Sequence, residues 1–338
     1  MQSEAWVWHG GGQLRLEPRE VPEPGPGQVL FAVRASGICS TDLHVLQGGV
    51  NFVAPPHIMG HEGAGDVLAV GPGVSRDLIG RRAAVDTVIG CGHCRFCQAG
   101  RKHLCRDVQE IGQTIPGLWA RHCLVPAANL VFIPEQVSYA AATQMEILHC
   151  VLGGIDRVDF LAGESAIVLG CGIAGILLAA LFRLRGARRV VITGTRENRL
   201  AMARRYGADE VINVRQTPLV EALGGERFDV VAETVGSRES IGQAAGLAEA
   251  GGRVLLFGIP AGHRAELDIF DAIWREILFV PTGNASHVWP RVAALVGSGR
   301  IDLAPLVDRR FPFEALDEAV RFAREHHDDY IKVAVDIP

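Results

Sequence analysis

The sequence predicts an α/β protein in which a doubly wound parallel sheet is joined to a β-rich domain. From about residue 150 onward, short apolar stretches alternate with helix-like stretches, the pattern of a parallel sheet with helices on both faces. Residues 1–148 instead contain short strand-like stretches separated by Gly and Pro. Residues 285–338 return to a mixed pattern. We therefore expect one domain from 1–148 with 285–338, and a second from 149–284.

Each predicted element follows from local periodicity and turn residues. In the first domain, the alternating stretch QVLFAVRASGIC and the stretches GAGDVLAVGPGV and RRAAVDTV predict strands, whereas EVPEPGPG predicts a loop. In the second, six apolar strands are predicted at SAIVLG, RRVVIT, EVIN, FDVVAET, RVLLFG and ILFVPTG, with helices from Ile173 to about Arg185, at NRLAMARRYG and near SIGQAAGLAEA. The tail supplies a helix at ALDEAVRFAREHH and a strand at IKVAVDI.

Composition and charge indicate which kinds of partner the protein binds. The chain has 338 residues, 48% of them apolar, and a net charge of −5 with no basic stripe, which argues against nucleic acid as a partner. The uncharged stretch from Ala166 to Phe182 approaches the length of a membrane span, but its glycines divide it into a strand and a helix. The N-terminus lacks a secretory signal pattern. We expect a cytoplasmic protein that binds small molecules and has no membrane partner.

Four of the eight cysteines form a local metal motif. They follow the spacing C-x2-C-x2-C-x7-C at Cys91, Cys94, Cys97 and Cys105. Four thiolates in one short loop can enclose a tetrahedral Zn²⁺ and leave no open coordination position, which is typical of a structural site. An iron–sulfur cluster and plain free thiols are the competing interpretations. The absence of a second cysteine set and of a proline after the last cysteine favours zinc.

A glycine motif predicts a dinucleotide site. Gly170, Gly172 and Gly175, with Ile173 and Ala174 between the last two, form G-x-G-x-x-G between an apolar strand and an apolar helix. Small residues there let the backbone approach a pyrophosphate at the helix N-terminus.

The residues after the second strand predict which nicotinamide cofactor binds. NAD-binding proteins generally carry Asp or Glu at this place, whereas this chain has Gly194, Thr195 and Arg196. A guanidinium can bind a 2′-phosphate with two hydrogen bonds, so NADP is favoured over NAD. Glu197 leaves the alternative open, because its carboxylate could reach a ribose hydroxyl instead.

Three further residues are candidates for a second metal. Cys39, His61 and Glu62 each follow a strand-like stretch, and loops from different strands can supply three ligands and one open position for a catalytic zinc. Taken alone, a single Cys and a single His are more often a buried thiol and a hydrogen-bonded polar residue than metal ligands.

GICSTDLH, GHEGAG, the four-cysteine loop and GCGIAG occur in the order and approximate spacing of the zinc-dependent medium-chain alcohol dehydrogenase family. The resemblance extends from EVPEPGPGQVL to IKVAVDI and implies a GroES-like catalytic domain and a Rossmann domain. It also implies that Cys39 and His61 bind a catalytic zinc, so that the chain carries two zinc ions. The GTR sequence at 194–196 is similar to the GSR of NADP-dependent bacterial members.

The third ligand of the catalytic zinc departs from the family's Cys2His version. By spacing, the position falls on Glu146, as in the threonine, polyol and secondary-alcohol branches, with Glu62 as an exchangeable or neighbouring ligand. In a helix, Glu146, His149 and Cys150 share one face, so the residues alone leave all three open.

Thr41 and His44 match the family's proton relay, in which the hydroxyl passes the alcohol proton on to the imidazole. The resemblance thus implies hydride transfer between NADP(H) and a secondary alcohol, polyol or amino-alcohol, or the matching ketone. A reductase of C=N or activated C=C bonds and a zinc-stabilised nucleotide-binding protein without turnover are the alternatives. We expect a homodimer or homotetramer.

Overall fold

The computed structural model describes residues 1–49, 53–259 and 264–338. The chain divides into two compact units, one comprising Met1–Glu146 and Ser286–Pro338 and the other Ile147–Ala285. The strands and helices below are numbered along the chain.

The first unit is built mainly from strands. Up to residue 146 these are β1 (Gln2–Trp8), β2 (Leu14–Glu20), β3 (Gln28–Gly37), β4 (His57–Ile58), β5 (Gly63–Val70), β6 (Arg82–Val85), β7 (Val88–Ile89), β8 (Gln109–Glu110), β9 (His122–Pro126) and β10 (Leu130–Phe132). Three short helices, α1 (Ser40–Leu46), α2 (Arg95–Gln98) and α3 (Tyr139–Thr143), interrupt them. A longer helix, α4 (Met145–Arg157), begins in this unit and continues into the second.

The second unit alternates strands and helices. Its strands are β11 (Ser165–Leu169), β12 (Arg189–Gly194), β13 (Glu210–Asn213), β14 (Phe228–Glu233), β15 (Ala248–Leu256) and β16 (Leu278–Pro281). Its helices are α5 (Ile173–Leu184), α6 (Glu197–Arg205), α7 (Leu219–Leu223), α8 (Arg238–Leu247) and α9 (Ile269–Trp274). The tail of the chain adds α10 (Trp289–Gly297), β17 (Val307–Pro312), α11 (Leu316–Glu325) and β18 (Lys332–Asp336) to the first unit.

The largest sheet of the first unit has the order β10-β6-β5-β3-β18-β17, with β9 also paired to β3. Its register places Gly37 opposite Ala334 of β18, and Ser36 opposite Gly63 of β5. The end of β3 therefore lies beside the residues that precede β5 and beside the start of β18. The side chain of Trp119 is fully buried and belongs to the hydrophobic core of this unit.

The second unit contains a six-stranded, wholly parallel sheet with the order β13-β12-β11-β14-β15-β16. The chain runs outward from β11 to β13 and then crosses to β14 on the other side of β11. The strand order thus reverses between β11 and β14, where doubly wound sheets bind nucleotides. All five residues of β11 are buried, as a strand covered on both faces requires. The predicted α/β class is confirmed.

The uncharged stretch from Ala166 to Phe182 is divided between β11 and α5. Within the described ranges, no helix combines the length and the apolar character that crossing a membrane requires.

Candidate functional site

The four-cysteine loop brings its sulfur atoms into one cluster. The Sγ atoms of Cys91, Cys94, Cys97 and Cys105 all lie within 4.8 Å of one another. Backbone amides point at the sulfurs: the N–H of Cys91 donates to Cys105 Sγ at 3.4 Å, and that of Cys97 donates to Cys94 Sγ at 3.5 Å. The hydrogen bond from the Cys97 amide is the largest cause that lowers the pKa of Cys94 to about 7, whereas loss of hydration raises the pKa of Cys97 to about 11. The cluster fits a tetrahedral zinc ion.

A second cluster lies at the edge where β3, β5 and β18 meet. Cys39 follows β3, and His61 and Glu62 precede β5. One ligand atom from each of these residues lies within 4.8 Å of the others. The amide of Gly37 donates to the carbonyl of Glu62 at 2.7 Å, so the strand pairing itself fixes the distance between the two loops. A soft sulfur, an imidazole and a carboxylate suit Zn²⁺.

Asp42 orients His61 in this cluster. Nδ1 of His61 lies 3.1 Å from Oδ1 of Asp42, and both side chains are buried. A carboxylate only accepts, so Nδ1 carries the proton and Nε2 remains available to a metal. Burial lowers the pKa of His61, but Asp42 and Cys39 outweigh it and hold the pKa well above its usual value. Sequence reasoning did not identify Asp42 as part of the site.

The same carboxyl group caps a helix. Oδ2 of Asp42 accepts a hydrogen bond from the amide of Cys39 at 3.0 Å, which forms one half of a capping box at the start of α1. Asp42 therefore ties the Cys39 loop to His61. An acidic residue three positions after the N-cap residue of a helix is a capping-box signal, and this signal in the sequence could have identified Asp42.

Glu62 is fully buried and bound on one side only. Its Oε1 accepts a hydrogen bond from Lys332 Nζ at 2.5 Å, and both side chains are shielded from solvent. Its Oε2 is buried with no hydrogen-bond partner among the described residues. A side chain at Gly37 would collide with this atom, because an added Cβ would lie 2.0 Å from it. The orphaned oxygen fits a metal ligand, since a buried acceptor without a partner is costly.

Lys332 is a residue that sequence reasoning missed. It lies 270 positions from Glu62 in the chain, and no local motif marks it. Burial lowers the pKa of Lys332, but Glu62 and Cys39 raise it by more, so the side chain is held as an ammonium.

Glu146 lies in the first turn of α4 and belongs to the first unit. Burial raises the pKa of Glu62. The charges of Lys332 and His61 oppose this rise, whereas the charge of Glu146 adds to it. The carboxyl group of Glu146 therefore lies close enough to Glu62 to interact electrostatically. The ligand atoms of Glu146, His149 and Cys150 also lie within 4.8 Å of one another, as the helical spacing predicts.

Thr41 and His44 both lie on α1, directly after Cys39. Thr41 is partly buried, whereas His44 is exposed in the last turn of the helix. One short helix therefore places the hydroxyl of Thr41 two residues after Cys39 and the imidazole of His44 in contact with solvent.

The glycine motif forms the turn between β11 and α5. Gly170 has a φ of +108°, which favours glycine, and Gly172 caps α5 with open space where a side chain would be. An added Cβ at Gly175 would lie 1.9 Å from the carbonyl oxygen of Gly170, so the helix could not pack against the turn with a larger residue. Ile173 and Ala174 form the first turn of the helix. The turn fits a pyrophosphate at the α5 N-terminus.

The loop after β12 carries Thr195 and Arg196, both partly exposed, and Arg196 precedes the first residue of α6. Gly194 ends the strand and packs against Cys171 of the glycine turn, where an added Cβ would lie 2.1 Å from Sγ. The carboxylate of Glu197 is engaged elsewhere: its Oε1 accepts hydrogen bonds from Asn213 and, at 3.1 Å, from Gln216.

Comparisons with known proteins identify the family of this chain. The model of the alcohol dehydrogenase GroES-like domain matches residues 25–135, and that of the zinc-binding dehydrogenase matches residues 172–298. The chain is 32% identical over 325 residues to L-threonine 3-dehydrogenase of Deinococcus deserti, covering 92% of this chain and 90% of that protein. It is also 32% identical over 318 residues to L-threonine 3-dehydrogenase of Pyrococcus furiosus, covering 90% of each.

Solved structures give the same result. A zinc-binding dehydrogenase from Sinorhizobium meliloti bound to NADP superposes with a TM-score of 0.92 at 32% identity over 100% of both chains. The 2R,3R-butanediol dehydrogenase of Bacillus subtilis superposes with a TM-score of 0.89 at 25% identity over 99% of both chains. The predicted resemblance is confirmed: this chain belongs to the zinc-dependent medium-chain alcohol dehydrogenase family and is an NAD(P)-dependent enzyme.

Proposed function

We propose that the enzyme transfers hydride between NADP(H) and a secondary alcohol, polyol or amino-alcohol, or the matching ketone. The observation that carries this proposal is the cluster of Cys39, His61 and Glu62, in which three donor types converge and Glu62 Oε2 is buried without a partner in the described structure. Such a set suits a zinc site with a position left for substrate. The four cysteines from 91 to 105 hold the second, structural zinc.

The substrate class rests on the relatives. The names of L-threonine 3-dehydrogenase and 2R,3R-butanediol dehydrogenase both denote alcohols whose hydroxyl is on a secondary carbon. Glu146 at the third ligand position supports the same class, because it resembles the acidic residue of the threonine and polyol branches.

We assign the ligands of the catalytic zinc to Cys39, His61 and Glu146, with Glu62 as an exchangeable ligand. Glu146 is favoured over His149 and Cys150 because it belongs to the same unit as the other ligands and its charge acts on Glu62. When bound, zinc supplies Lewis-acid stabilisation of negative charge on the substrate oxygen.

The residues of α1 supply a path for the proton. The hydroxyl of Thr41 accepts the proton from the substrate alcohol and passes its own onward, and the exposed imidazole of His44 releases a proton to water. In the reductive direction the same groups deliver a proton to the ketone oxygen. The partial burial of Thr41 and the exposure of His44 support this order.

NADP is the proposed cofactor because the adenosine end of a bound dinucleotide would lie beside Arg196, after the end of β12. Glu197 is the acid nearest in sequence, and hydrogen bonds from Asn213 and Gln216 engage its Oε1. A guanidinium at this place attracts a 2′-phosphate and gains little from a 2′-hydroxyl. The related Sinorhizobium meliloti structure was solved with NADP.

The function is tested with purified zinc-containing enzyme, a panel of secondary alcohols, polyols, amino-alcohols and ketones, and the absorbance of reduced nicotinamide. We expect chelator-sensitive oxidation of a secondary alcohol with NADP⁺, and a fall of kcat/KM by about 100-fold or more in Glu146→Gln, because a zinc ligand is lost. His149→Gln and Cys150→Ser are the matched controls on the same helix face. A larger loss in either control would reassign the third ligand, and chelator-insensitive reduction of a C=C bond alone would contradict the proposed reaction.

Replacing Asp42 by Asn should weaken the catalytic zinc. The variant loses the carboxylate that holds His61 Nδ1–H, so we expect the affinity of this site to fall by about 10- to 100-fold. Competition with a chromogenic chelator measures the affinity. Asp66→Asn is the matched control, since Asp66 pairs with Arg34 and Tyr139. Equal zinc affinity in both variants would remove the orienting role of Asp42.

Replacing Arg196 by Ala should weaken NADP⁺ binding by about 10- to 100-fold, the value of hydrogen bonds to a charged group, and leave NAD⁺ binding nearly unchanged. Isothermal titration with each cofactor measures this. Arg204→Ala, an exposed arginine on α6, serves as the control. Near-equal catalytic efficiency of the unaltered enzyme with NAD⁺ and NADP⁺ would contradict the assignment.

A further inference from the structure

A buried carboxylate lies at the point where the strand order of the second unit reverses. Glu233 is the last residue of β14, and it is paired with Leu169, the last residue of β11, and with Leu256, the last residue of β15. It is 0% exposed. The glycine turn follows Leu169 directly, so Glu233 lies at the carboxyl edge of the sheet where a dinucleotide is expected to bind.

Glu233 holds the loop after β14 by its side chain. Its Oε1 accepts three hydrogen bonds, from the amides of Val235 at 2.8 Å and Gly236 at 2.9 Å and from Ser240 Oγ at 2.8 Å. Its backbone carbonyl accepts from the amides of Phe257 at 2.9 Å and Gly258 at 3.1 Å, in the loop after β15. One residue therefore fixes both loops.

The Glu233 carboxylate has no cationic partner in the part of the chain that the structure describes. Its Oε2 is buried without a hydrogen-bond partner, and none of the basic side chains in the described ranges forms an ion pair with it. A buried carboxylate that lacks an ion pair is costly, which favours a functional reason for keeping the charge there.

The three loops at this edge pack closely against one another. An added Cβ at Gly236 would lie 2.4 Å from the carbonyl oxygen of Ile259, and one at Gly170 would lie 2.7 Å from Thr234 Oγ1. An added Cβ at Gly258 would lie 2.7 Å from Glu233 Oε2. Movement of the Glu233 carboxylate would therefore be transmitted to all three loops.

The two loops held by Glu233 also present apolar side chains. Val235 is 54% exposed and Ile259 is 53% exposed, although both are aliphatic. The backbone contact of Gly236 with Ile259 keeps these loops together. Exposed aliphatic groups beside a nucleotide crevice suit a flat aromatic ring.

A bound dinucleotide would span the reversal point, and under the proposed function Arg196 after β12 would lie at its adenosine end. The nicotinamide half must then extend to the other side of the glycine turn, over the loops after β14 and β15. The oxidised nicotinamide ring carries one positive charge, and the reduced ring is neutral. A buried negative charge beneath these loops interacts favourably with the first and is indifferent to the second.

We propose that Glu233 is a positioning residue that aligns the loops after β14 and β15 under the nicotinamide and selectively stabilises the oxidised cofactor. The inference rests on the proposed NADP dependence for the orientation of the dinucleotide. It assigns a role to a residue that is not among the proposed metal ligands.

The test is the ratio of the dissociation constants of NADP⁺ and NADPH, each measured by isothermal titration on the intact zinc-containing enzyme. Glu233→Gln keeps the shape and an acceptor for the three donors but removes the charge. We expect the Kd of NADP⁺ to rise about fivefold or more while that of NADPH changes less than about twofold, because only the charged ring loses an electrostatic partner. Ser240→Lys, which places an ammonium beside the retained carboxylate, should shift the ratio in the same direction.

Ser240→Ala is the matched control. It removes one hydrogen bond from Glu233 but leaves the charge, so the ratio should stay within about twofold of that of the unaltered enzyme. If Glu233→Gln fails to fold, Ser240→Lys decides the question. Equal weakening of both cofactor forms, or no change in the ratio, would overturn the proposal. Because the ratio is a binding quantity, it is independent of which alcohol is oxidised, and a preference for NAD only changes the cofactor pair to be titrated.

Discussion

The burial of several ionisable side chains at one edge of the first unit is the constraint on which the site depends. Asp42, Glu62 and His61 are nearly inaccessible, and Lys332 supplies one compensating positive charge. Charges removed from water are tolerated only when they are paired, hydrogen-bonded or bound to a metal. Cys39 and Glu146 add further negative character, so a divalent cation is the group that best completes the cluster.

The sheet creates this edge. The pairing of β3 with β5 sets the distance between the Cys39 loop and the His61–Glu62 pair, and β18 brings Lys332 from the far end of the chain. The cysteine loop follows a different principle, since its four ligands come from one stretch of 15 positions and need no distant partner. In the proposed assignment, the first arrangement would leave a coordination position for substrate and the second would enclose its ion, which is the difference between a catalytic and a structural zinc site.

The second unit also has a buried carboxylate close to the place where its ligand is expected. Its glycine turn leaves room for a pyrophosphate, and Glu233 fixes the neighbouring loops through one carboxylate oxygen and one backbone carbonyl. In each unit, a buried carboxylate keeps one oxygen without a hydrogen-bond partner among the described residues: Oε2 of Glu62 near the metal candidates and Oε2 of Glu233 at the end of β14.

Local patterns were sufficient for much of the architecture. Strand and helix periodicity predicted the parallel sheet. The spacing of the cysteines from Cys91 to Cys105 predicted a cluster, and the structure brings their sulfur atoms together. Lys332 could not be predicted, because its pairing with Glu62 depends on strand register over 270 positions. The role of Glu233 could not be predicted either, because its burial and the loop conformation that brings its hydrogen-bond donors to one oxygen are set only by the folded structure. Helical spacing alone could not choose among Glu146, His149 and Cys150, because all three share a face.

The central claim is most directly tested by counting zinc in the purified protein by mass spectrometry of the metal, in the unaltered chain and in Cys39→Ser. The account predicts two zinc ions per chain, falling to one in Cys39→Ser while the thiolate-bound ion remains. One zinc ion in the unaltered chain, or two retained in Cys39→Ser, would contradict it.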